Sequence, residues 1–186
     1  VTLDNLRAFE AQALSNTVWA YATLEISHPE LFKKVADHIV GLDNLKMFWP
    51  QALSIIVWAY ATAKEPHPQL FRKVADHIIL DNLRAFSPQD FSNIFWAYAT
   101  ANESHPKLFK KMADHVVGLD NLRAFEAQAL SNTLWAYLTA KESHPKLFKK
   151  VAEHIVGLDN LKLFNSMNLA NVVRAYATAK QSHPPL

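Results

Sequence analysis

The segment Gln12-Ala13-Leu14-Ser15-Asn16-Thr17-Val18-Trp19-Ala20-Tyr21-Ala22-Thr23 returns in variant form from Gln51, Gln89, Gln128 and Met167. Its tryptophan column, Trp19, Trp58, Trp96 and Trp135, continues into Arg174, with steps of 39, 38, 39 and 39 residues. Self-similarity at a period of about 20 to 50 residues marks a solenoid, because one such unit cannot bury its own apolar face and must stack on its neighbours. The repeats lie at approximately 9–47, 48–85, 86–124, 125–163 and 164–186, the last incomplete. Val1 falls inside the repeat phase, so a piece of a longer array is expected.

Each unit carries two helical patterns. In the first, helix A, over about residues 10–24, Leu14, Val18, Tyr21 and Ala22 recur at helical spacing. Ala13, Thr17, Ala20 and Leu24 form an adjoining row, so apolar surface covers most of the cylinder, as suits a helix packed on its partner and on the next repeat. Pro50 and Pro88 mark its start, where a missing N–H is harmless. Ser27-His28-Pro29 ends helix A, since proline disfavours the helical region in the residue before it, and Ser27 is placed to cap the second helix. This helix B spans about residues 29–40, with Leu31, Phe32, Val35 and Ile39 on its apolar face. Gly41, Gly118 and Gly157 are expected just past helix B with positive φ; Ile79-Leu80-Asp81 lacks that glycine, which explains the 38-residue step. Asp43 and its equivalents are expected to cap a short turn pinned by Leu42, Leu45 and Phe48. The fold class is all-α: an α-solenoid, a right-handed superhelix of helical hairpins whose A helices form the inner, ligand-facing layer.

Composition narrows the function. Nineteen basic and 17 acidic residues leave a formal charge of +2, which argues against polyanion binding by bulk charge but permits a local basic stripe. The absence of cysteine excludes disulfides and thiolate ligands. No apolar run reaches the roughly 18 residues of a membrane span, so no membrane partner is expected. The nine histidines fall in two repeating places, five before proline and four, His38, His77, His115 and His154, near the end of helix B. One of each per unit builds no tetrahedral metal cluster, and we assign them to turns and helix ends. Asp37, Asp76, Asp114 and Glu153 likewise occur singly, and Ser15, Ser54, Ser92 and Ser131 have no base partner in the local sequence. Without a phosphate loop or dinucleotide fingerprint, no catalytic residue, cofactor or metal is expected, and the chain reads as a non-enzyme.

Polar residues interrupt the apolar helix A at repeating positions. Gln12, Asn16 and Thr23 fall on one side; the matching sets are Gln51, Ile55, Thr62; Gln89, Asn93, Thr100; Gln128, Asn132, Thr139; and Met167, Asn171, Thr178. In a solenoid such a ladder either hydrogen-bonds successive bases, one unit per nucleotide, or bonds between neighbouring A helices and holds the stack together. The two readings are equally open from the residues alone. Variation between units favours reading slightly, because a packing column seldom alternates amide with alkyl, as Asn16 and Ile55 do. The helix-start column, Glu10, Trp49, Ser87, Glu126 and Asn165, is the best place for unit-to-unit specificity if exposed, and Trp49 there is placed to stack on a base unless it staples onto the linker. The tryptophan column is expected to pack between units, with Arg174 showing that the place can reach solvent or a phosphate. Basic residues follow two rows: Arg7, Lys46, Arg84, Arg123 and Lys162 in the linkers, and pairs such as Lys33-Lys34 on helix B. The linker row, beside the start of helix A with its free N–H groups, is the better set of phosphate contacts.

The run Phe86 to Ala101, with Phe-x-Pro-Gln followed by Ser-Asn-x-x-Trp-Ala-Tyr-Ala-Thr-Ala and the downstream His-Pro-x-Leu-Phe, resembles the octotricopeptide-type helical repeats of organellar RNA-binding proteins. The resemblance extends to relatives ending in an RAP domain, including the Fas-activated serine/threonine kinase-like mitochondrial group. It covers essentially the whole chain. It implies an α-solenoid that binds single-stranded RNA and supports transcript processing, stability or translation in a mitochondrion or chloroplast, with other organellar RNA-processing proteins as further partners. The family's variable positions would fall on Glu10, Asn16 and Thr17, then Trp49, Ile55 and Ile56, then Ser87, Asn93 and Ile94, then Glu126, Asn132 and Thr133, then Asn165, Asn171 and Val172. Repeat two departs at Ile55 and Ile56, and repeat five at Met167 and Arg174. No RAP domain is visible. The rival reading is a protein-interaction scaffold that binds no nucleic acid, which a large apolar groove on the A face would favour.

Overall fold

A computed structural model describes residues 9–158 and 162–179. Its elements are α1 (Ala11–Thr23), α2 (Pro29–Gly41), α3 (Pro50–Thr62), α4 (Pro68–Leu80), α5 (Pro88–Thr100), α6 (Pro106–Gly118), α7 (Ala127–Thr139), α8 (Pro145–Val156) and α9 (Ser166–Thr178), with a 3-10 turn at Leu83–Ala85. No strand occurs among the described residues. Odd-numbered helices pack on one another in order, as do even-numbered ones, giving the two layers of an α-solenoid of hairpins. The A layer is the tighter, with α1·α3, α3·α5 and α5·α7 running in close contact. Its seams are made of small side chains: Ser54, Ser92, Ser131, Ala59, Ala97, Ala136 and Ala175 are all buried.

Three cross-repeat ties set the stacking. The first is a tyrosine latch. Tyr60, Tyr98, Tyr137 and Tyr176, each on helix A of one repeat, donate to the backbone carbonyls of Phe32, Phe71, Phe109 and Phe148 on helix B of the preceding one, at 2.6 to 2.7 Å. Each tyrosine ring also meets the same phenylalanine edge to face, with centroids 5.0 to 5.4 Å apart. Burial pushes these phenols well above their ordinary range, so they remain neutral donors. The second tie uses the inner lysine of each helix B pair. Lys73 caps the carbonyls of Val40 and Leu42, Lys111 those of Ile78, Ile79 and Asp81, and Lys150 those of Val117 and Leu119, which neutralises the C-terminal end of the preceding helix B.

The third tie corrects the expected cap. Proline at the first helical position makes histidine, not Ser27, the N-cap of helix B. Nδ1 of His28, His67, His105 and His144 accepts from the N–H of Leu31, Leu70, Leu108 and Leu147 at 3.2 to 3.4 Å. That bond places the proton of a neutral ring on Nε2. Nε2 then faces the preceding repeat, 3.4 Å from Asp37 for His67, 3.8 Å from Asp76 for His105 and 3.0 Å from Asp114 for His144.

The linker and glycine expectations also change. Asn44, Asn82 and Asn121, rather than the aspartates before them, accept from the N–H two residues on, at Lys46, Arg84 and Arg123. No glycine has positive φ. Gly41 and Gly118 are the last residues of their helices, and the left-handed residues are instead Glu25, Lys64, Asn102 and Lys141, past the ends of the A helices. There a Schellman pattern closes the helix, as Ile26 N–H to Tyr21 O and Glu25 N–H to Ala22 O illustrate.

A Cβ at Gly41 or Gly118 would meet nothing within 4 Å. Gly41→Ala and Gly118→Ala should therefore each raise stability, by up to about 1 kcal/mol, through the smaller entropy of the unfolded chain. Tyr98→Phe, which keeps the ring and removes the donor, should lower it by about 1 kcal/mol. Urea midpoints at constant m-value measure both.

Candidate functional site

Fixing three faces of helix A leaves one free. In α1 the inward residues are Ala11, Leu14, Ser15, Val18 and Ala22, while Gln12, Asn16, Trp19 and Thr23 are exposed. Those four stand at i, i+4, i+7 and i+11, so they lie along a single strip of the helix. The corresponding strips, Gln51-Ile55-Trp58-Thr62, Gln89-Asn93-Trp96-Thr100, Gln128-Asn132-Trp135-Thr139 and Met167-Asn171-Arg174-Thr178, are exposed or half-buried. Side by side they form a lane across the A layer. On α1, α3, α5 and α7 the lane carries no charged side chain; the one acid in these helices, Asp90, is buried.

The asparagines do not tie neighbouring helices together. Gln12 Nε2 donates to Asn16 Oδ1 at 2.9 Å, and Gln89 Nε2 to Asn93 Oδ1 at 2.7 Å, both within one helix at i,i+4. Each pair still has an amide N–H₂ on Asn and a carbonyl on Gln to offer. The bonds that cross between A helices come from the buried serine column: Ser54 to Asp90 Oδ1 at 2.6 Å, and Asn168 Nδ2 to Ser131 at 3.1 Å.

The other candidate columns divide. Glu10, Trp49, Ser87, Glu126 and Asn165 are the N-caps of their A helices and all are exposed. Trp49, 78% exposed, is not stapled down. Ser87 and Asn165 are engaged in capping boxes with Asp90 and Asn168, whereas Glu10, Trp49 and Glu126 make no side-chain cap bond. The column one residue after asparagine turns inward. Thr133 is 3% exposed and donates to Ala129 O, Thr17 donates to Ala13 O, and Ile56, Ile94 and Val172 are buried. A single residue step rotates the side chain by about 100°, which carries this column from the lane into the seam; Thr133 has no surface for a ligand.

Among the basic candidates, Lys46, Arg84, Arg123 and Lys162 are exposed at the linker edge and Arg174 lies in the lane. Arg7 lies outside the described residues. Three of the outer helix B cations, Lys33, Lys110 and Lys149, are held by acids on their own helices, as Lys33 with Asp37 at 2.6 Å and Lys149 with Glu153 at 3.7 Å. Lys33 and Lys110 in turn hold the carboxyls of Asp37 and Asp114 below their usual range, helped by His67 and His144. Helix B is thus only partly neutralised, with ten Lys or Arg against five Asp or Glu over α2, α4, α6 and α8.

At the linker edge a groove of about 610 Å³ is lined by Arg84, Phe86, Phe91, His115 and Phe125. His115 stacks on Phe91 with centroids 5.3 Å apart and planes at 11°. Burial, then the charges of Arg84 and Lys111, push the His115 imidazolium pKa down; burial and Arg123 do the same at His154. No group of three or more His, Cys, Asp or Glu residues able to hold a metal occurs among the described residues. None of their helices is long and apolar enough to cross a membrane. No family model and no curated protein matches the chain.

The lowered histidines fix a sign for pH dependence. Below about pH 6.5 the unfolded chain binds protons that His115 and His154 refuse in the fold, so their contribution is complete above that pH and is lost on acidification. Thermal midpoints should fall from pH 7.5 to 5.5, and the double variant His115→Gln/His154→Gln should flatten that slope.

Proposed function

We propose that this array binds single-stranded RNA with sequence selectivity, noncatalytically, and supports organellar RNA processing, stability or translation. The observation that carries the reading is the lane itself: an amide side chain in every helical unit, with Gln and Asn together in the first, third and fourth, free of carboxylates, on the face of the A layer that packing does not use. Amides offer donor and acceptor together, as base edges require, and the absence of charge leaves discrimination to hydrogen bonding. The resemblance to octotricopeptide-type repeats supplies the organellar setting, and the repeats present match about four or five nucleotides. Lys46, Arg84, Arg123 and Lys162 are exposed in the linkers that lead into the A helices, where phosphates of a strand lying across the starts of those helices would run.

Selection from a randomised single-stranded RNA pool tests this. A short enriched sequence is expected, with near-repetitive bases to match near-repetitive units. Asn93→Ala and Asn132→Ala should relax selection at single positions while shifting stability by less than about 0.5 kcal/mol, as surface changes do. Affinity should fall with salt with a log–log slope of up to about −2.8 for four phosphate contacts, and Arg84→Gln should reduce its magnitude by about 0.7. A pool that emerges unenriched and bound without salt dependence refutes the reading and leaves the scaffold role in its place.

A further inference from the structure

Grooves recur along the linker edge, and the one between the third and fourth repeats differs in chemistry from its counterpart between the first and second. The earlier groove, of about 480 Å³, is lined by Phe9, Leu14, His38 and Phe48 among others. The later one, of about 610 Å³, has Phe86, Phe91, His115 and Phe125 at the same places of the repeat. Leucine holds the Phe91 position in every other unit, as Leu14, Leu53, Leu130 and Leu169. The exchange gives this groove a flat floor. The His115 imidazole lies on the Phe91 ring with 5.3 Å between centroids and 11° between planes, and Phe86 and Phe125 stand 6.1 and 6.4 Å from Phe91. His115 is half-buried and, with its pKa pushed down by burial and by Arg84, uncharged at neutral pH. Two exposed charges border the same space from different linkers, Arg84 ahead of α5 and Asp120 ahead of α7; among the described residues neither enters a salt bridge. An apolar floor with a few convergent polar groups, in a space of about 300 to 1,000 Å³, is the usual form of a small-molecule site.

We propose that this groove is a site for one unpaired guanine nucleotide, its base against His115, its Watson–Crick edge on Asp120 and its phosphate on Arg84; the RNA-binding reading above supplies the strand that carries it. A neutral imidazole already held flat by one ring is a stacking surface for a base. A carboxylate only accepts, and of the four RNA bases guanine alone turns two adjacent donors, N1–H and N2–H, toward one carboxylate. Adenine and cytosine set an acceptor beside their amino group, and uracil has a single N–H between two carbonyls. Pro88 in the groove wall is followed by Gln89, the first residue of the lane on α5, so a strand crossing the lane passes the mouth of the groove. The first groove, with Leu14 in place of the ring, lacks this floor, which confines the guanine preference to the third unit.

The test follows the imidazole proton resonances of histidine-labelled whole chain, with His115 assigned by its loss in His115→Gln, while guanosine, adenosine and cytidine monophosphates and inorganic phosphate are added in turn to millimolar concentration. Guanosine monophosphate should shift the His115 signals upfield and saturably, by the ring current of a stacked purine, with the other three weaker. Asp120→Asn, which sets a donor against the guanine edge, should weaken guanine binding about 5- to 100-fold and narrow the gap to adenine. Phe91→Leu, which installs the residue of the other repeats, should abolish the His115 shift. Should Phe91→Leu fail to fold, the exposed Asp120→Asn still decides. Inorganic phosphate acting as strongly as the nucleotide, adenosine monophosphate matching it, or an Asp120→Asn variant that binds guanine undiminished overturns the site. Single-stranded RNA bound by a chain whose His115 ignores guanosine monophosphate overturns the site and leaves the RNA reading intact. Guanosine monophosphate bound at His115 by a chain that retains no single-stranded RNA keeps the site and overturns the RNA reading.

Discussion

Four buried tyrosines hold this array in register, each tied to the preceding repeat by the same residue twice. Tyr98 donates to the carbonyl of Phe71 and lies edge-on to its ring, and Tyr60, Tyr137 and Tyr176 repeat that arrangement on Phe32, Phe109 and Phe148. A carbonyl in the first turn of a helix already serves the helix, so the phenol takes its second lone pair without disturbing the first. The direction of this bond fixes the height of helix A against the preceding helix B, and the edge-to-face contact fixes its rotation. Lysine caps at one end of helix B and histidine caps at the other add ties between the same neighbours. Stability in such a chain is a sum of unit and interface contributions, and here most of the polar specificity is in the interface.

Once rotation is fixed, the outward strip of helix A is fixed with it. The buried side is divided among the tyrosine, the Ser and Ala seam and the leucine column, and the remainder is Gln, Asn, Trp and Thr. Because every repeat is rotated alike, these residues align from unit to unit without any contact of their own being required. That separation of roles explains how Asn16 can become Ile55 without loss of packing. It also explains why Ser54 and Ser131, one residue earlier, are buried and tied to Asp90 and Asn168 across the seam.

Much of this is legible in the residues. The period, the hairpin, the helix limits to within a residue or two and the two-layer stacking follow from apolar spacing and from proline, signals strong enough to stand on a single sequence. The features that a sequence leaves ambiguous depend on competition between neighbours of similar chemistry. In Ser27-His28-Pro29 either polar residue can cap, and only the requirement that proline be the first helical residue places histidine there. In Asp43-Asn44 either side chain can make the turn. Lys33 and Lys34 look alike in sequence, yet one faces its own helix's Asp37 and the other column reaches a neighbour's carbonyls. The left-handed ends at Glu25, Lys64, Asn102 and Lys141 carry no glycine to announce them. Among the candidate ligand contacts, Asn16 is exposed and Asn93 half-buried on the lane, while Thr133 is in the seam. That difference of one residue and about 100° is one that no compositional signal conveys.

The near-zero net charge covers an uneven distribution. Helix B carries cations and acids in i,i+4 pairs and in histidine–aspartate bridges, yet α2, α4, α6 and α8 hold ten Lys or Arg against five Asp or Glu, so an excess of positive charge lies in the layer that faces away from the lane. The A helices hold almost no charge at all, and the linkers hold Lys46, Arg84 and Arg123 next to Asp43, Asp81 and Asp120. A ligand recognised on the lane would therefore be recognised mainly by shape, stacking and amide hydrogen bonds, with few counterions released. Such a surface gains little from long-range attraction and little non-specific affinity, since it is phosphate contacts that supply most of both. Discrimination by such a surface would come from how many aligned units engage a ligand at once, and that alignment is set by the same tyrosine latches that keep the units in step.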